Sequence, residues 1–237
     1  MQFMFLPTVL AALGLVGLIQ TRSSVQTGEF ATQRARMVDE QIAARGVRNR
    51  AVLDAMRAVP RHEFVPETYR NSAYADTPLP IGLDQTISQP YIVALMTELV
   101  EPKPEHRILE VGTGSGYQAA VISRIVKEVY SIEIIPQLAQ SGSERLKRLG
   151  YANIAVREGD GYQGWPDRAP FDGILVTAGA TEVPKPLIDQ LKPGGRMIIP
   201  VGATSGSQVL KVIEKRTDGS IRTEDVIPVR FVPLRRN

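Results

Sequence analysis

The chain has 237 residues, is 43% hydrophobic and 22% charged, and carries a formal net charge of +3; this suffices for one well-buried domain and excludes wholesale disorder. With no cysteine and only His62 and His106, it has no disulfide, no thiolate nucleophile, no cysteine zinc site and no metal-ligand spacing, so no metal is expected. Lys and Arg are scattered apart from Arg34 to Arg50 and Arg235-Arg236, which argues against a nucleic-acid stripe, and no G-x-S-x-G elbow supports a Ser-His-Asp triad.

Leu6 to Ile19 is nearly all apolar, short of the ~20 residues a membrane span needs. No Lys or Arg precedes it and no A-x-A site follows. Residues 1–29 are therefore open to three readings: a poor signal or anchor, a start placed too far upstream, or a disordered lead. In each, one domain spans 30–237, with a helical substrate cap at 30–104 and a cofactor-binding core at 105–237. Apolar residues Met37, Ile42, Val47, Val52, Leu53 and Met56 predict helix from Thr32 to Ala58, divided at Gly46. Pro60 ends it, and Phe64 to Pro80 reads as loop and short turns. Ser88-Gln89-Pro90 opens the next helix, with Pro90 in the first turn and Ser88 or Gln89 as cap; Pro102 and Pro104 close it.

Strand and helix then alternate. Strands are predicted at Arg107 to Val111, Glu128 to Ile134, Ile154 to Arg157, Phe171 to Thr177 and Arg196 to Val201. Helices are predicted at Tyr117 to Val126, Pro136 to Leu149 and Lys185 to Leu191. Val209 to Lys215 and Ile221 to Val232 flank Thr217-Asp218-Gly219-Ser220, a hairpin signal. The expected fold is α/β: a Rossmann-like, doubly wound, mostly parallel sheet with an N-terminal helical cap and an antiparallel C-terminal hairpin.

The chemistry starts at Glu110-Val111-Gly112-Thr113-Gly114-Ser115-Gly116. A buried strand entering a glycine turn and then a helix is a nucleotide-binding arrangement. A dinucleotide turn would have its third glycine where Tyr117 stands, and Glu110 would repel a pyrophosphate. That carboxylate suits the ammonium of a methionine moiety or its ordered water. Hence Glu110, Gly112, Thr113, Gly114 and Gly116 are expected to hold S-adenosylmethionine. Glu133, ending the next strand, is placed to accept from two ribose hydroxyls. Asp160-Gly161, in the next loop of the same rim, is placed for the adenine amino group, with a plain turn aspartate as the alternative.

Beyond these motifs, Val59 to Pro66, Leu79 to Gly82, Gln85-Thr86-Ile87-Ser88-Gln89-Pro90, Gly159 to Trp165, Leu191 to Arg196 and Arg230 to Leu234 make the chain closely resemble the protein-L-isoaspartate O-methyltransferases, over about Met37 to Leu234. The resemblance implies methyl transfer from S-adenosylmethionine to the α-carboxylate of L-isoaspartyl residues in damaged proteins or peptides. The ester then collapses to a succinimide and initiates repair. It also implies that Ser88 is the active-site residue. Thr86 and Ile87 would line the site against cofactor or substrate, Thr86 and Ser88 would contact substrate, and Val201-Gly202 would bind the substrate backbone. His62 is expected to be structural. A carboxylate, with a pKa near ~4, is ionised at neutral pH, so this reaction needs no general base, metal or covalent nucleophile. The alternative is the same fold methylating a small molecule or RNA; a non-catalytic binding module is argued against by the glycine turn and Glu133. The family's cofactor is made in the cytoplasm, which is the expected location, with export or anchoring through the first residues as the alternative. Membrane association is expected only through residues 1–20, and a monomer is the working expectation.

Overall fold

The computed structural model describes residues 28–203 and 206–236; the apolar run and its three readings lie outside the described residues. The chain enters as helix α1 over residues 28–45, which widens to π geometry at Met37–Ile42 and tightens to 3₁₀ at Ala43–Arg45. Gly46, at φ +104°, turns it off. Helix α2 (Arg50–Ala58) starts where the Asn49 side chain accepts from the Ala51 and Val52 amides at 3.0 and 3.3 Å, a cap worth ~1 kcal/mol. It buries Val52, Ala55 and Met56. Extended Val59 before Pro60 stops it.

Two short 3₁₀ turns, Arg61–Phe64 and Glu67–Ser72, lead to strands β1 (Leu79–Gly82) and β2 (Gln85–Ile87), which pair antiparallel. The sequence reading placed loop as far as Pro80 and no hairpin here. Its turn is made by Leu83 and Asp84 at φ +53° and +57°, and leucine at the first of these positions does not announce a left-handed turn. Helix α3 (Pro90–Leu99) follows.

The core is a seven-stranded sheet formed by β3 (Arg107–Val111), β4 (Glu128–Glu133), β5 (Ile154–Glu158), β6 (Phe171–Val176), β7 (Leu191–Gly202), β8 (Gln208–Lys215) and β9 (Ile221–Val229). Its order is β5-β4-β3-β6-β7-β8-β9, parallel up to β7 and antiparallel beyond. Helices α4 (Tyr117–Ser123), α5 (Pro136–Arg148) and α6 (Lys185–Asp189) intervene. The α/β reading, including the antiparallel end, is what the structure shows. Three helices are shorter than expected: α4 stops at Ser123, α5 at Arg148 and α6 at Asp189, the last because Leu191 already pairs with Phe171 on β6.

Strand alternation divides the core. Ile108 faces α3, α4 and the N-terminal helices in one apolar cluster, whereas Leu109 and Val111 face Phe171, Ile174 and Leu187 in the other. Each fully buried aliphatic side chain contributes ~1.5–3 kcal/mol, so the N-terminal helices are held on the sheet by the first cluster. No described helix is long and apolar enough to cross a membrane.

Candidate active site

The strand order turns back between β3 and β6, and the crevice at their carboxyl ends is where an open parallel sheet binds ligands. β3 runs into the glycine turn there. Gly112 sits at φ +100°, and a Cβ on it would lie 2.4 Å from Thr177 Oγ1. Thr177 follows β6 and its hydroxyl lies 2.7 Å from the Gly112 carbonyl and 3.0 Å from that of Val111. Gly112 therefore serves both backbone conformation and close approach. Gly114 N–H donates to Glu133 Oε2 at 2.8 Å, and Ile135 N–H donates to Glu133 Oε1 at 3.0 Å. Gly116, at φ +87°, precedes the first residue of α4.

Glu110 faces the α4 side of the sheet, not the crevice. It is fully buried, and Oε2 accepts from the Ser131 hydroxyl, which in turn lies 2.6 Å from Thr113 Oγ1. Oε1 has no partner among the described residues. Burial pushes its pKa up to about 8; the Ser131 bond opposes that shift and Glu133 reinforces it. The carboxyl thus props the turn from beneath, through Ser131 and Thr113, and keeps one oxygen unused.

Three adjoining cavities meet above the turn. The largest, about 630 Å³, is bounded by Thr86, Ser88, Gln89, Thr177, Ser207 and the Pro228–Val232 segment, among others. The second, about 50 Å³, is bounded by Gly112, Gly114, Glu133, Gly161, Thr177 and Leu234, among others. The third, about 30 Å³, lies over Gly112–Ser115 beside Thr86, Ile87, Ser88 and Thr177. Thr86 and Thr177 border all three, and Ser88 borders the first and third. Ser88 is half-buried, and no side chain at the start of α3 makes its own capping bond. The helix-cap alternative for Ser88 is thus not realised.

The other expected residues divide. Gly161 reaches the crevice wall, packed so close to β3 that a Cβ would lie 2.4 Å from Val111 Cγ1. Asp160 stands on the rim and its Oδ1 accepts from the Tyr162 amide at 2.9 Å; this is the turn-aspartate geometry, with Oδ2 left over. Val201 and Gly202 are not brought to the cavities: Val201 pairs with Val209, and Gly202 N–H donates to the Ala180 carbonyl at 2.9 Å. The Gly202 amide is therefore already used. Sequence reasoning missed Thr177, Gln89, Arg230 and the segment after β9. Thr177 alone had a usable signal, as a hydroxyl ending the strand beside the glycine turn.

The residues present fit S-adenosylmethionine. Val111, Ile132, Ile134, Ile135 and Leu234 form an apolar slot around the Glu133 carboxylate. Each Glu133 oxygen has a second lone pair for a ribose hydroxyl.

Comparison with known proteins agrees. The family described as protein-L-isoaspartate(D-aspartate) O-methyltransferase matches residues 32–237. A protein-L-isoaspartate O-methyltransferase of Opitutus terrae is 52% identical over 227 residues, covering 96% of this chain and 97% of that one. A solved protein-L-isoaspartate O-methyltransferase superposes with a TM-score of 0.77 at 32% identity, over 84% of this chain and 65% of that one. A Plasmodium falciparum β-aspartate methyltransferase in complex with S-adenosyl-L-homocysteine superposes with a TM-score of 0.73 at 28% identity, over 86% of this chain and 99% of that one. With its sheet order, its glycine turn over Glu110 and its Thr86-Ile87-Ser88 segment at the junction of the cavities, the chain belongs to the protein-L-isoaspartate(D-aspartate) O-methyltransferase family.

Proposed function

We propose that this chain methylates the α-carboxylate of L-isoaspartyl residues in damaged proteins, using S-adenosylmethionine, and so starts their return to normal aspartate. The observation that carries this is the position of Ser88, bordering both the large cavity and the recess over the glycine turn. When bound, S-adenosylmethionine supplies an electrophilic methyl group on a sulfonium. Gly112, Thr113, Gly114 and Gly116 would hold its aminoacyl end over the prop made by Glu110, Glu133 its ribose, and Asp160 and Gly161 the adenine. Thr86 and Ile87 close the wall on the Ser88 side.

The remaining task is to bring an acceptor carboxylate to the same point. Arg230 is the only charged residue among the described residues of the large cavity's wall, and a carboxylate is drawn toward it. The Ser88 hydroxyl then donates one hydrogen bond and fixes which oxygen faces the turn. The acceptor is already ionised, so no residue has to remove a proton. Alignment is what the protein contributes, an effect worth up to ~7–11 kcal/mol. The methyl ester then closes to a succinimide by attack of the neighbouring backbone amide nitrogen on the ester carbon, which breaks the C–O bond and releases methanol carrying the amide proton, a step that needs no residue of this chain. We place this activity in the cytoplasm, where the methyl donor is made.

The test is a peptide pair differing only in L-isoaspartate against L-aspartate. Methylation confined to the first, as a base-labile ester releasing methanol, is expected. Equal methylation of both, of neither, or a base-stable product overturns the reading, the last pointing to a different acceptor.

A further inference from the structure

A helix needs its first amide groups satisfied, and α3 does this neither with Ser88 nor with Gln89. The acceptor comes from the loop before β1. Asp76 Oδ1 accepts from the Tyr91 amide at 3.0 Å. Asp76 Oδ2 accepts from the Gln89 side-chain amide at 2.6 Å. The same oxygen pairs with Arg45 from the end of α1, whose guanidinium lies 3.4 Å from the centre of the Tyr91 ring. One carboxylate thus grips Gln89 and Tyr91, the residues on either side of Pro90, and sits where a helix N-terminus favours negative charge.

We propose that Asp76, anchored by Arg45, is the positioning residue for Ser88: it caps α3 from outside and so leaves the Ser88 hydroxyl free to face the junction of the cavities. Without it, the hydroxyl next in sequence to the exposed amides is that of Ser88 itself, and capping would turn the side chain from the substrate to its own helix. Asp76 touches no residue of the glycine turn, and its one contact on the wall of the large cavity is Gln89, so its loss should leave the methyl donor's site intact.

The proposal rests on Ser88 acting in the reaction, and the experiment separates the two ideas. Turnover of the isoaspartyl peptide is measured for wild type, Asp76→Ala, Asp76→Asn, Ser88→Ala and the double variant Asp76→Ala/Ser88→Ala. Affinity for S-adenosylmethionine is measured by calorimetry and exchange of the Tyr91 amide by NMR. Asp76→Ala is expected to lower kcat about tenfold, to change donor affinity less than threefold, and to speed Tyr91 exchange at least tenfold. Asp76→Asn, which keeps one acceptor and folds isosterically, should fall between. In the Ser88→Ala background, removing Asp76 should lower kcat by less than twofold. A full tenfold further loss there, an unchanged kcat for Asp76→Ala, or an unaltered Tyr91 exchange overturns the proposal. An enzyme that ignores the isoaspartyl peptide while Tyr91 exchange still responds to Asp76→Ala refutes the assigned reaction and leaves the external cap standing.

Discussion

Beside Glu133 an apolar slot rests on a fixed backbone path: the turn Gly112–Gly116, the Gly161 loop against Val111, and amides of Gly114 and Ile135 that hold the Glu133 carboxylate in place. Around Ser88 the cavity is shaped by side chains and strand ends from separate stretches: the hairpin at Thr86, the start of α3, Thr177 after β6, and Pro228–Val232 at and beyond the end of β9. The first region tolerates little change in shape, because a backbone path has no rotamers to adjust. The second is set by which segments the fold brings together, and each contributes a graded amount.

Gly112→Ala is the sharpest way to break this contrast. The new methyl would sit at φ +100° and 2.4 Å from Thr177 Oγ1, and Thr177 is itself bonded to the carbonyls of Val111 and Gly112. Affinity for S-adenosylmethionine should fall about 100-fold, roughly 2.8 kcal/mol, with a lowered Tm. Calorimetry giving near wild-type binding would mean that the turn adapts and the crevice is not set by its backbone.

Ser88→Ala should act on the other side alone. Loss of one hydrogen bond to a charged acceptor costs ~1.5–3 kcal/mol, so turnover of the isoaspartyl peptide should drop roughly 30-fold while donor affinity stays within about twofold. Equal losses in both would move Ser88 into the donor site and erase the division.

The division also explains what could be read beforehand. Gly112, Gly114, Glu133 and the strands that carry them are encoded locally, within one strand-turn-helix unit, and the sequence reading located them. The Ser88 region was reached through resemblance, since nothing in Gln85 to Pro90 states that Asp76, Arg45 and Tyr91 will relieve Ser88 of capping. Val201-Gly202 show the reverse: a glycine at a strand end suggests access, but β7 runs through it and its amide is bonded to the Ala180 carbonyl. Glu110 was read as a ligand contact from its place before the turn. Strand parity, counted from Ile108, directs it to the α4 side, which only the assembled sheet makes plain.

Arg230→Met tests whether the cavity draws its substrate by charge. The residue is exposed at the mouth, so the effect should be modest: KM for the isoaspartyl peptide about fivefold higher at low salt, kcat little changed, and the difference shrinking as salt screens the attraction. A salt-independent KM, or a fall in kcat with KM intact, would assign Arg230 to shape and not to charge.

The smallest effect belongs to His62, and it bears on whether the substrate side hides an acid or base. Its ring stacks on Phe30 at 4.2 Å and Nδ1 lies 2.6 Å from the Tyr74 hydroxyl, on the N-terminal helical side and away from the cavities. Burial lowers its pKa below the ordinary 6.5; Glu63 opposes this, and Arg34 and Arg70 add to it. A histidine depressed in the folded state binds its proton more readily when unfolded, so folding stability should fall as pH drops below 6.5 toward the depressed value. His62→Gln should flatten that decline in thermal unfolding between pH 7.5 and 5.5, and leave turnover at pH 7 within about twofold. A variant that instead loses turnover, together with an acid limb of the pH–rate profile, would make His62 a participant in proton transfer. An acceptor carboxylate that is already ionised gives such a participant nothing to do, and for that reason a histidine in this chain can be spent on packing.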